Sequence, residues 1–454
     1  MRVHFIAIGG NIMHALAVAM RDAGHSVSGS DDVINDPARS VLAKSGLLPD
    51  DLGWHPSRIQ ADLDAVILGM HAYEDNPELL KAKELGLKIM SFPEFIYQQS
   101  VNKERIVIAG SHGKTTITSM IIHVLEHHKQ HFDYLVGSTP KGLSSGVRLT
   151  STAAYIVLEG DEYLSSKLDN KPKFLSYQPH IVVINGVAWD HANVFPSVDV
   201  YEEQFRELVR SVPKAGSLIY NKEDNATTNI CQQGHKNRTD SIALPYGVHP
   251  HRIKNGKSYL KTDHGDVEVQ FFGKHNFINV NAAKVVCNRL GINDVRFYET
   301  ITTFEGAPKR LEKIAETPNR TVFLDYAHAP SKLAATVQAV REQFPKSKLV
   351  ALMELHTFSS LNSNFLPQYK NTLKGADVMG VYVNPDILAQ KKMPAFAPGT
   401  FKQFFNAKNL HELSSTTEIE QFLQYNSNAH TVYLLMSSGN FGGFEPKIWV
   451  QNMK

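Results

Sequence analysis

Cysteine is nearly missing from this chain: its 454 residues include two, Cys231 and Cys287. They lie far apart in sequence, which excludes a disulfide framework and any metal site built on closely spaced thiolates. Long apolar runs are missing too. The opening Met1-Arg2-Val3-His4-Phe5-Ile6-Ala7-Ile8 stops at Gly9-Gly10, too short to span a bilayer and better read as a first strand. Charge of one sign is not in excess, since the formal net charge is +2, and this argues against a nucleic-acid-binding surface of any size. There is no internal repeat and no low-complexity segment. What is present, 42% hydrophobic and 20% charged residues, suits a soluble globular protein too long for one ordinary core. Two or three domains in a reducing, cytoplasmic setting are expected, with no membrane, nucleic acid or obligate protein partner evident.

One stretch says more than the rest. Residues 109–116 read Ala-Gly-Ser-His-Gly-Lys-Thr-Thr. They follow the β-branched run Arg105-Ile106-Val107-Ile108 and precede a segment, 117–126, with apolar residues at helical spacing. Strand, glycine turn, Lys-Thr and helix is the layout of a phosphate-cradling loop. Backbone N–H groups and a helix N-terminus face the phosphates, Lys114 supplies a cation, and the Thr115 hydroxyl is placed to hold Mg²⁺. The general P-loop has a glycine five residues before Gly113, where this chain has Ile108. The loop is therefore the shorter Gly110-x-x-Gly113-Lys114-Thr115. A chance Gly-Lys-Thr in a surface turn is the competing reading, and the flanking strand and helix weigh against it.

Three segments follow from the alternation of elements. In the first hundred residues, strands at 3–8, 25–28, 65–68 and 88–90 alternate with helices at 13–23, 37–45 and 77–85, a βαβ pattern. Gly9-Gly10 fills the first strand-to-helix turn and Asp31 ends the second strand. A dinucleotide site looks similar, but the G-x-G-x-x-G fingerprint has Ala7 and Ile12 at two of its glycines, which disfavours a nicotinamide cofactor. A second segment opens near Asn102, with strands at 154–158 and 180–185 and a helix at 201–212. Short strands and loops are expected over 228–270, then a helix at 279–290. A third starts near Ala307-Pro308, with strands at 321–324, 349–352, 378–381 and 432–436 alternating with helices.

Further chemistry sits at strand ends. Residues 155–158 lead into Glu159-Gly160-Asp161-Glu162-Tyr163, where a carboxylate is placed to bind Mg²⁺; a solvated acidic loop is the plain alternative. Residues 181–185 lead to Trp189-Asp190-His191. Thr115, Glu159 and His191 at successive strand ends form a constellation suited to one or two hard cations and a triphosphate. Asn276 and Asn279 stand three apart at a helix start, as caps or as outward-pointing contacts. Arg310 lies at the third segment's start, and Asp325-Tyr326-Ala327-His328 follows a strand. The turn Gly439-Asn440-Phe441-Gly442-Gly443 follows the last strand, where open sheets bind ligands.

The motif series G-S-H-G-K-T-T, E-x-D-E-Y, D-H-A, G-x-H-N-x-x-N-x-x-A-A, K-R-L-E and D-Y-A-H-x-P resembles the Mur ligase family, in that family's order and over essentially the whole chain. The resemblance implies an α/β protein of three domains. These are a Rossmann-like UDP-binding domain (1–100), a central P-loop ATPase domain (101–306) and a C-terminal Rossmann-like domain for the acceptor (307–454). It implies ATP-dependent joining of an amine to UDP-N-acetylmuramate through an acyl phosphate. Within the family, Met436-Ser437-Ser438-Gly439-Asn440-Phe441-Gly442-Gly443 is similar to the branch whose acceptor is the tripeptide L-alanyl-γ-D-glutamyl-meso-diaminopimelate, in peptidoglycan recycling. The L-alanine-adding branch is the alternative.

The resemblance also assigns residues. ATP is expected on Gly110, Ser111, His112, Gly113, Lys114, Thr115 and Thr116, with Asn276, Asn279, Arg310 and Asp325. Mg²⁺ is expected on Thr115, Glu159 and His191. UDP is expected on Gly9, Gly10, Asn11, Ile12 and Asp31, and the peptide on Ser438, Asn440 and Phe441. Lys114, Arg310 and His328 are expected around the reacting groups, and loss of Lys114 is expected to abolish ligation with the fold intact. Departures from the family pattern are Ala7 for a glycine, Leu324 for an Asp, Ala329 for a His, Glu354-Leu355-His356 for a stretch of E-P-R or P-H-R type, and Asn440 for a glycine. No lysine lies between His191 and Lys214, so a carbamylated lysine is not expected there. A nicotinamide-dependent oxidoreductase and a non-catalytic nucleotide-binding protein are the readings from other classes.

Overall fold

The structure, a computed structural model, describes all residues except 71, 167, 170, 191–193, 255, 425–429 and 452–454. The chain divides into two compact units. One comprises Met1–Val187, Ser197–Gly247 and Ala282–Asn293, the other Ala188–Pro196, Val248–Asn281 and Asp294–Lys454.

The first unit holds two sheets. Strands β1 (Arg2–Ile6), β2 (Ser26–Ser30), β3 (Ala65–Leu68) and β4 (Ile89–Ser91) form a parallel sheet in the order β2-β1-β3-β4. Helices α1 (Asn11–Asp22), α2 (Ala38–Lys44), α3 (Pro77–Glu84) and α4 (Phe92–Gln99) accompany it. β1 stops two residues short of the expected end because Ala7 turns out of the strand with φ of 69°. That is left-handed backbone, at the position where the family pattern has glycine. A left-handed alanine costs about 1–2 kcal/mol, which roughly cancels the ordinary loss from deleting a buried methyl and loosening the unfolded chain. Ala7→Gly is therefore expected to leave the urea midpoint of unfolding nearly unchanged. A loss above about 1.5 kcal/mol would show that Ala7 is not strained.

The second sheet contains β5 (Glu104–Ala109), β6 (Asp133–Leu135), β7 (Val147–Arg148), β8 (Tyr155–Glu159), β9 (Ile181–Ile184), β10 (Ser217–Asn221) and β11 (Ile242–Tyr246). Their order is β11-β10-β9-β5-β8-β6-β7, with only β6 and β7 antiparallel. β5 is central, and its apolar residues are buried on both faces as a parallel interior strand requires. Helix α5 (Lys114–His127) follows it. α5 is rich in Thr and Ile, weak helix formers, and ten of its fourteen residues are buried, so packing holds it. The segment 228–270 is not all strands and loops. A helix, Asn225–His235, occupies its start, because Asp224 caps it at Thr227 N (2.8 Å) and Ile230 and Cys231 are buried beneath it.

The second unit holds a three-stranded antiparallel sheet of β12 (His251–Lys254), β13 (Lys257–Thr262) and β14 (Gly265–Val269). Its larger sheet is built from β15 (Glu312–Thr317), β16 (Arg320–Asp325), β17 (Lys348–Glu354), β18 (Val378–Tyr382), β19 (Leu410–Leu413) and β20 (Thr431–Met436). The order is β15-β16-β20-β17-β18-β19, parallel except for the β15 edge. The C-terminal ends of β16, β20, β17 and β18 therefore lie side by side. No helix among the described residues is long and apolar enough to cross a membrane.

Candidate active site

The loop after β5 is shaped by glycine. Gly110 has φ of 123°, and a Cβ there would lie 3.0 Å from the Asn185 and Gly186 nitrogens. Gly113 caps α5 with φ of 75°, and no side chain caps that helix. Its first N–H groups thus form an uncapped positive end, the arrangement that binds phosphate.

Lys114 sits at this end. Its Nζ donates to the Gly110 carbonyl (2.9 Å) and forms an ion pair with Glu162, with Asp161 4.0 Å away. Burial pulls the Lys114 pKa down, but the carboxylates of Glu162, Asp161 and Glu159 outweigh it and hold the ammonium above the ordinary lysine range. Glu162 is fully buried and also accepts from the Tyr201 hydroxyl (3.2 Å), which contacts Ser111 Oγ at 2.7 Å. Lys114 is thus half of an ion pair whose carboxylate is buried and whose ammonium is part-buried at the uncapped helix end. Glu162 stands in the E-x-D-E-Y motif, yet nothing in the sequence pairs it with Lys114, and Tyr201 carries no local signal at all.

On the neighbouring strand β8, the Thr115 hydroxyl donates to Glu159 Oε1 at 2.9 Å, and Glu159 Oε2 accepts from Gly137 N at 2.8 Å. A hydroxyl and a carboxylate side by side at an uncapped helix end are hard oxygen donors of the kind Mg²⁺ prefers. His191 lies outside the described residues. Among those described, no cluster of three His, Cys, Asp or Glu side chains is placed to hold a metal. On the other side, after β9, Asn185 Nδ2 donates to the His112 carbonyl (3.0 Å) and its Oδ1 accepts from the Tyr246 hydroxyl (2.6 Å). Asn185 thereby braces the loop, a role invisible without the β9-β5 pairing. Thr116 is buried in α5.

In the first sheet, Gly10 caps α1 without a side-chain bond and Asn11 and Ile12 open the helix. Asp31 is buried, its Oδ2 accepting from Gly9 N at 2.8 Å. The carboxylate fixes the turn and leaves the N-terminus of α1 uncapped.

In the second unit, Asn276 and Asn279 are buried and bonded to each other at 3.3 Å, and Asn276 also donates to the Phe272 carbonyl at 2.9 Å. Asp325 is buried, its oxygens accepting from Leu311 N and Ala327 N, both at 2.7 Å. Burial pushes its pKa up, against the Arg310 charge and the N–H donors that pull it down. Lys309 and Leu311 have φ of 53° and 47°, so Asp325 clasps a strained segment that carries Arg310. The Arg310 guanidinium lies 4.4 Å from the Tyr326 ring centroid. His328 is largely buried, with Nδ1 2.9 Å from the Tyr326 carbonyl.

The turn after β20 is tightly built. Glu354, buried at the end of β17, accepts from the Ser437 hydroxyl and from Phe441 N (2.9 Å). Gly439 N donates to Ser437 Oγ at 2.7 Å, and Gly442 N to Asn440 Oδ1 at 3.1 Å. Phe441 is buried in the apolar core under the sheet. Ser438 Oγ is buried with no hydrogen-bond partner among the described residues.

Comparison with known proteins agrees across the length of the chain. Two family models match, the Mur ligase family catalytic domain over residues 2–103 and the Mur ligase middle domain over residues 108–287. A UDP-N-acetylmuramate–L-alanine ligase of Caldicellulosiruptor bescii is 30% identical over 419 residues, covering 89% of this chain and 88% of that protein. The UDP-N-acetylmuramate–L-alanyl-γ-D-glutamyl-meso-2,6-diaminoheptandioate ligase of Haemophilus influenzae is 24% identical over 455 residues, 98% of each chain. Among solved structures, the UDP-N-acetylmuramate–alanine ligase of Thermotoga maritima superposes with a TM-score of 0.71 at 21% identity, covering 97% of this chain and 96% of that one. That likeness shows the shared α/β fold.

Proposed function

The chain belongs to the Mur ligase family of ATP-dependent amide-bond-forming ligases, and on that premise we propose that it joins an amine acceptor to the carboxylate of UDP-N-acetylmuramate in the cytoplasm. The observation that carries this reading is the junction of β5 and α5. A part-buried lysine, an uncapped helix end and the Thr115–Glu159 oxygen pair meet where β5 passes into α5 beside β8. The UDP-sugar is assigned to residues 1–100, ATP to 101–306 and the acceptor to 307–454.

In this reading the sugar's carboxylate attacks the γ-phosphate of ATP, giving an acyl phosphate and ADP. The acceptor's amine then attacks the acyl carbon and inorganic phosphate leaves. Bringing a carboxylate to a polyanion makes charge neutralisation the main task. Lys114 is assigned to the phosphate oxygens, and so is Arg310, carried in its own unit by the segment that Asp325 clasps. Asn276 and Asn279 are assigned to the adenine side and His328 to the neighbourhood of the reacting groups. Thr115, Glu159 and His191 would hold Mg²⁺, which supplies further neutralisation of the phosphates. Glu159→Ala is accordingly expected to raise the Mg²⁺ concentration needed for half-maximal activity. Titration curves that overlay the parent's would remove Glu159 from the metal assignment.

Two acceptors remain. The tripeptide reading rests on the turn at 436–443 and has the Haemophilus influenzae enzyme as a full-length relative. The L-alanine reading has the stronger support from relatives, because the 30% identical protein carries that activity in its name. Phosphate release from ATP with UDP-N-acetylmuramate, comparing L-alanine with the tripeptide at equal concentration, decides between them. Release with neither acceptor would overturn the ligase reading for this substrate.

A further inference from the structure

The turn that opens α1 and the loop that opens α5 are joined through one peptide unit. Asn11, the first residue of α1, donates from Nδ2 to the Gly137 carbonyl at 2.8 Å. The N–H of the same Gly137 donates to Glu159 Oε2 at 2.8 Å. Glu159 Oε1 then accepts from the Thr115 hydroxyl at 2.9 Å. Three hydrogen bonds thus connect the first turn of one helix to the first turn of the other, across the two sheets of the same compact unit. Residue 137 has a reason to be glycine, since a Cβ there would lie 3.3 Å from both Glu159 oxygens. Asn11 itself is exposed and contributes nothing to the core. Its amide makes no other hydrogen bond among the described residues.

We propose that Asn11 is a positioning residue that couples the nucleotide-sugar site of the first sheet to the ATP site of the second, through Gly137 and Glu159. The inference rests on the assignment of those two sites and adds how they communicate. A ligand that orders the turn at residues 9–12 fixes Asn11. Asn11 fixes the Gly137 peptide, and that peptide fixes the Glu159 carboxylate facing Thr115. Freedom lost when the first ligand binds is not lost again when the second binds, so each ligand tightens the other. Linkage makes the effect reciprocal. One exposed hydrogen bond sets its scale, about two- to tenfold in affinity.

A direct contact between Asn11 and the sugar nucleotide predicts a different pattern. Its loss weakens UDP-N-acetylmuramate equally with and without nucleotide, whereas loss of the coupling changes the ratio of the two affinities. Calorimetric titration of UDP-N-acetylmuramate into the full chain, with and without Mg²⁺ and a non-hydrolysable ATP analogue, measures that ratio. The parent is expected to bind about two- to tenfold more tightly with the analogue present, and Asn11→Ala to bring the ratio to about one. The exposed position keeps the variant folded, which circular dichroism checks; Asn11→Asp, which lacks the donor, serves as a second variant with the same expectation. A parent ratio of about one, or a variant that keeps the parent's ratio, overturns the coupling. A parent that binds neither ligand is a recognisably different result, because it overturns the site assignment and the coupling with it.

Discussion

Replacing Lys114 with methionine is expected to lower turnover by about 10²-fold or more and to weaken the fold in the same step. The first effect follows from position. Lys114 stands at the uncapped end of α5, and in the proposed reaction a preorganised cation there stabilises charge that develops in the transition state. The second effect follows from Glu162. That carboxylate is fully buried, and the lysine is its ion-pair partner. Removing one member of a buried pair strands the other and costs about 3 kcal/mol or more. The loop sequence alone leads to an expectation of an intact fold; the Lys114–Glu162 pair leads to an expectation of a weakened one. The double variant Lys114→Met/Glu162→Gln separates the two effects. It removes both charges, and Tyr201 keeps an acceptor to donate to, so denaturant stability is expected to return towards the parent's while turnover stays low. Near-normal turnover in either variant would sink the P-loop assignment. The pH dependence follows from the raised lysine pKa. Lys114's contribution to the pair is fully present below the unfolded lysine value of about 10.4 and is lost only as pH rises through the higher folded value. Between pH 6 and pH 9 the stability difference between parent and Lys114→Met is expected to be flat where Lys114 is concerned.

What could be read from the sequence divides along physical lines. Interior parallel strands such as β3, β9 and β20 are unbroken apolar runs because both faces are covered, and they are legible as such. The edge strands β15 and β19 are not, since no residue of β15 and only Leu410 of β19 is fully buried, so neither shows an apolar run. The helix Asn225–His235 hid behind weak helix formers and is set by its Asp224 cap and its buried face. In the site, Lys114, Thr115 and Glu159 are legible because each sits at a strand end beside a glycine turn. Glu162, Asn185 and Tyr201 are not, because their partners become neighbours only once β8 and β9 flank β5. Phe441, expected from the resemblance to contact the peptide, is a core residue in the structure.

The turn after β20 provides the second large effect. Gly442→Ala is expected to destabilise the C-terminal unit and to impair use of ATP, UDP-N-acetylmuramate and acceptor alike. Two independent costs act at this residue. Its φ is 66°, and a left-handed alanine costs about 1 kcal/mol. A Cβ would also lie 2.1 Å from the Tyr382 hydroxyl oxygen, so the ring or the turn must move. Overpacking of that kind adds roughly 1–3 kcal/mol. Gly443 isolates the first cost, because its φ is 92° and a Cβ there meets nothing within 4 Å. Gly443→Ala is thus expected to lose only about 1 kcal/mol. Tyr382→Phe isolates the second, since deleting the hydroxyl removes the closest contact. The double variant Gly442→Ala/Tyr382→Phe should recover the steric part and keep the conformational part. The glycines of this turn therefore serve the backbone first. Its N–H groups point the same way, as those of Gly439, Phe441 and Gly442 are spent on Ser437, Glu354 and Asn440. Of the side chains in the turn, the Ser438 hydroxyl is a buried donor without a hydrogen-bond partner among the described residues, and so one an acceptor could engage. If Gly442→Ala instead folds with parental stability and raises the Michaelis constant for the acceptor alone, the turn is a peptide-binding surface and this account of its glycines is wrong.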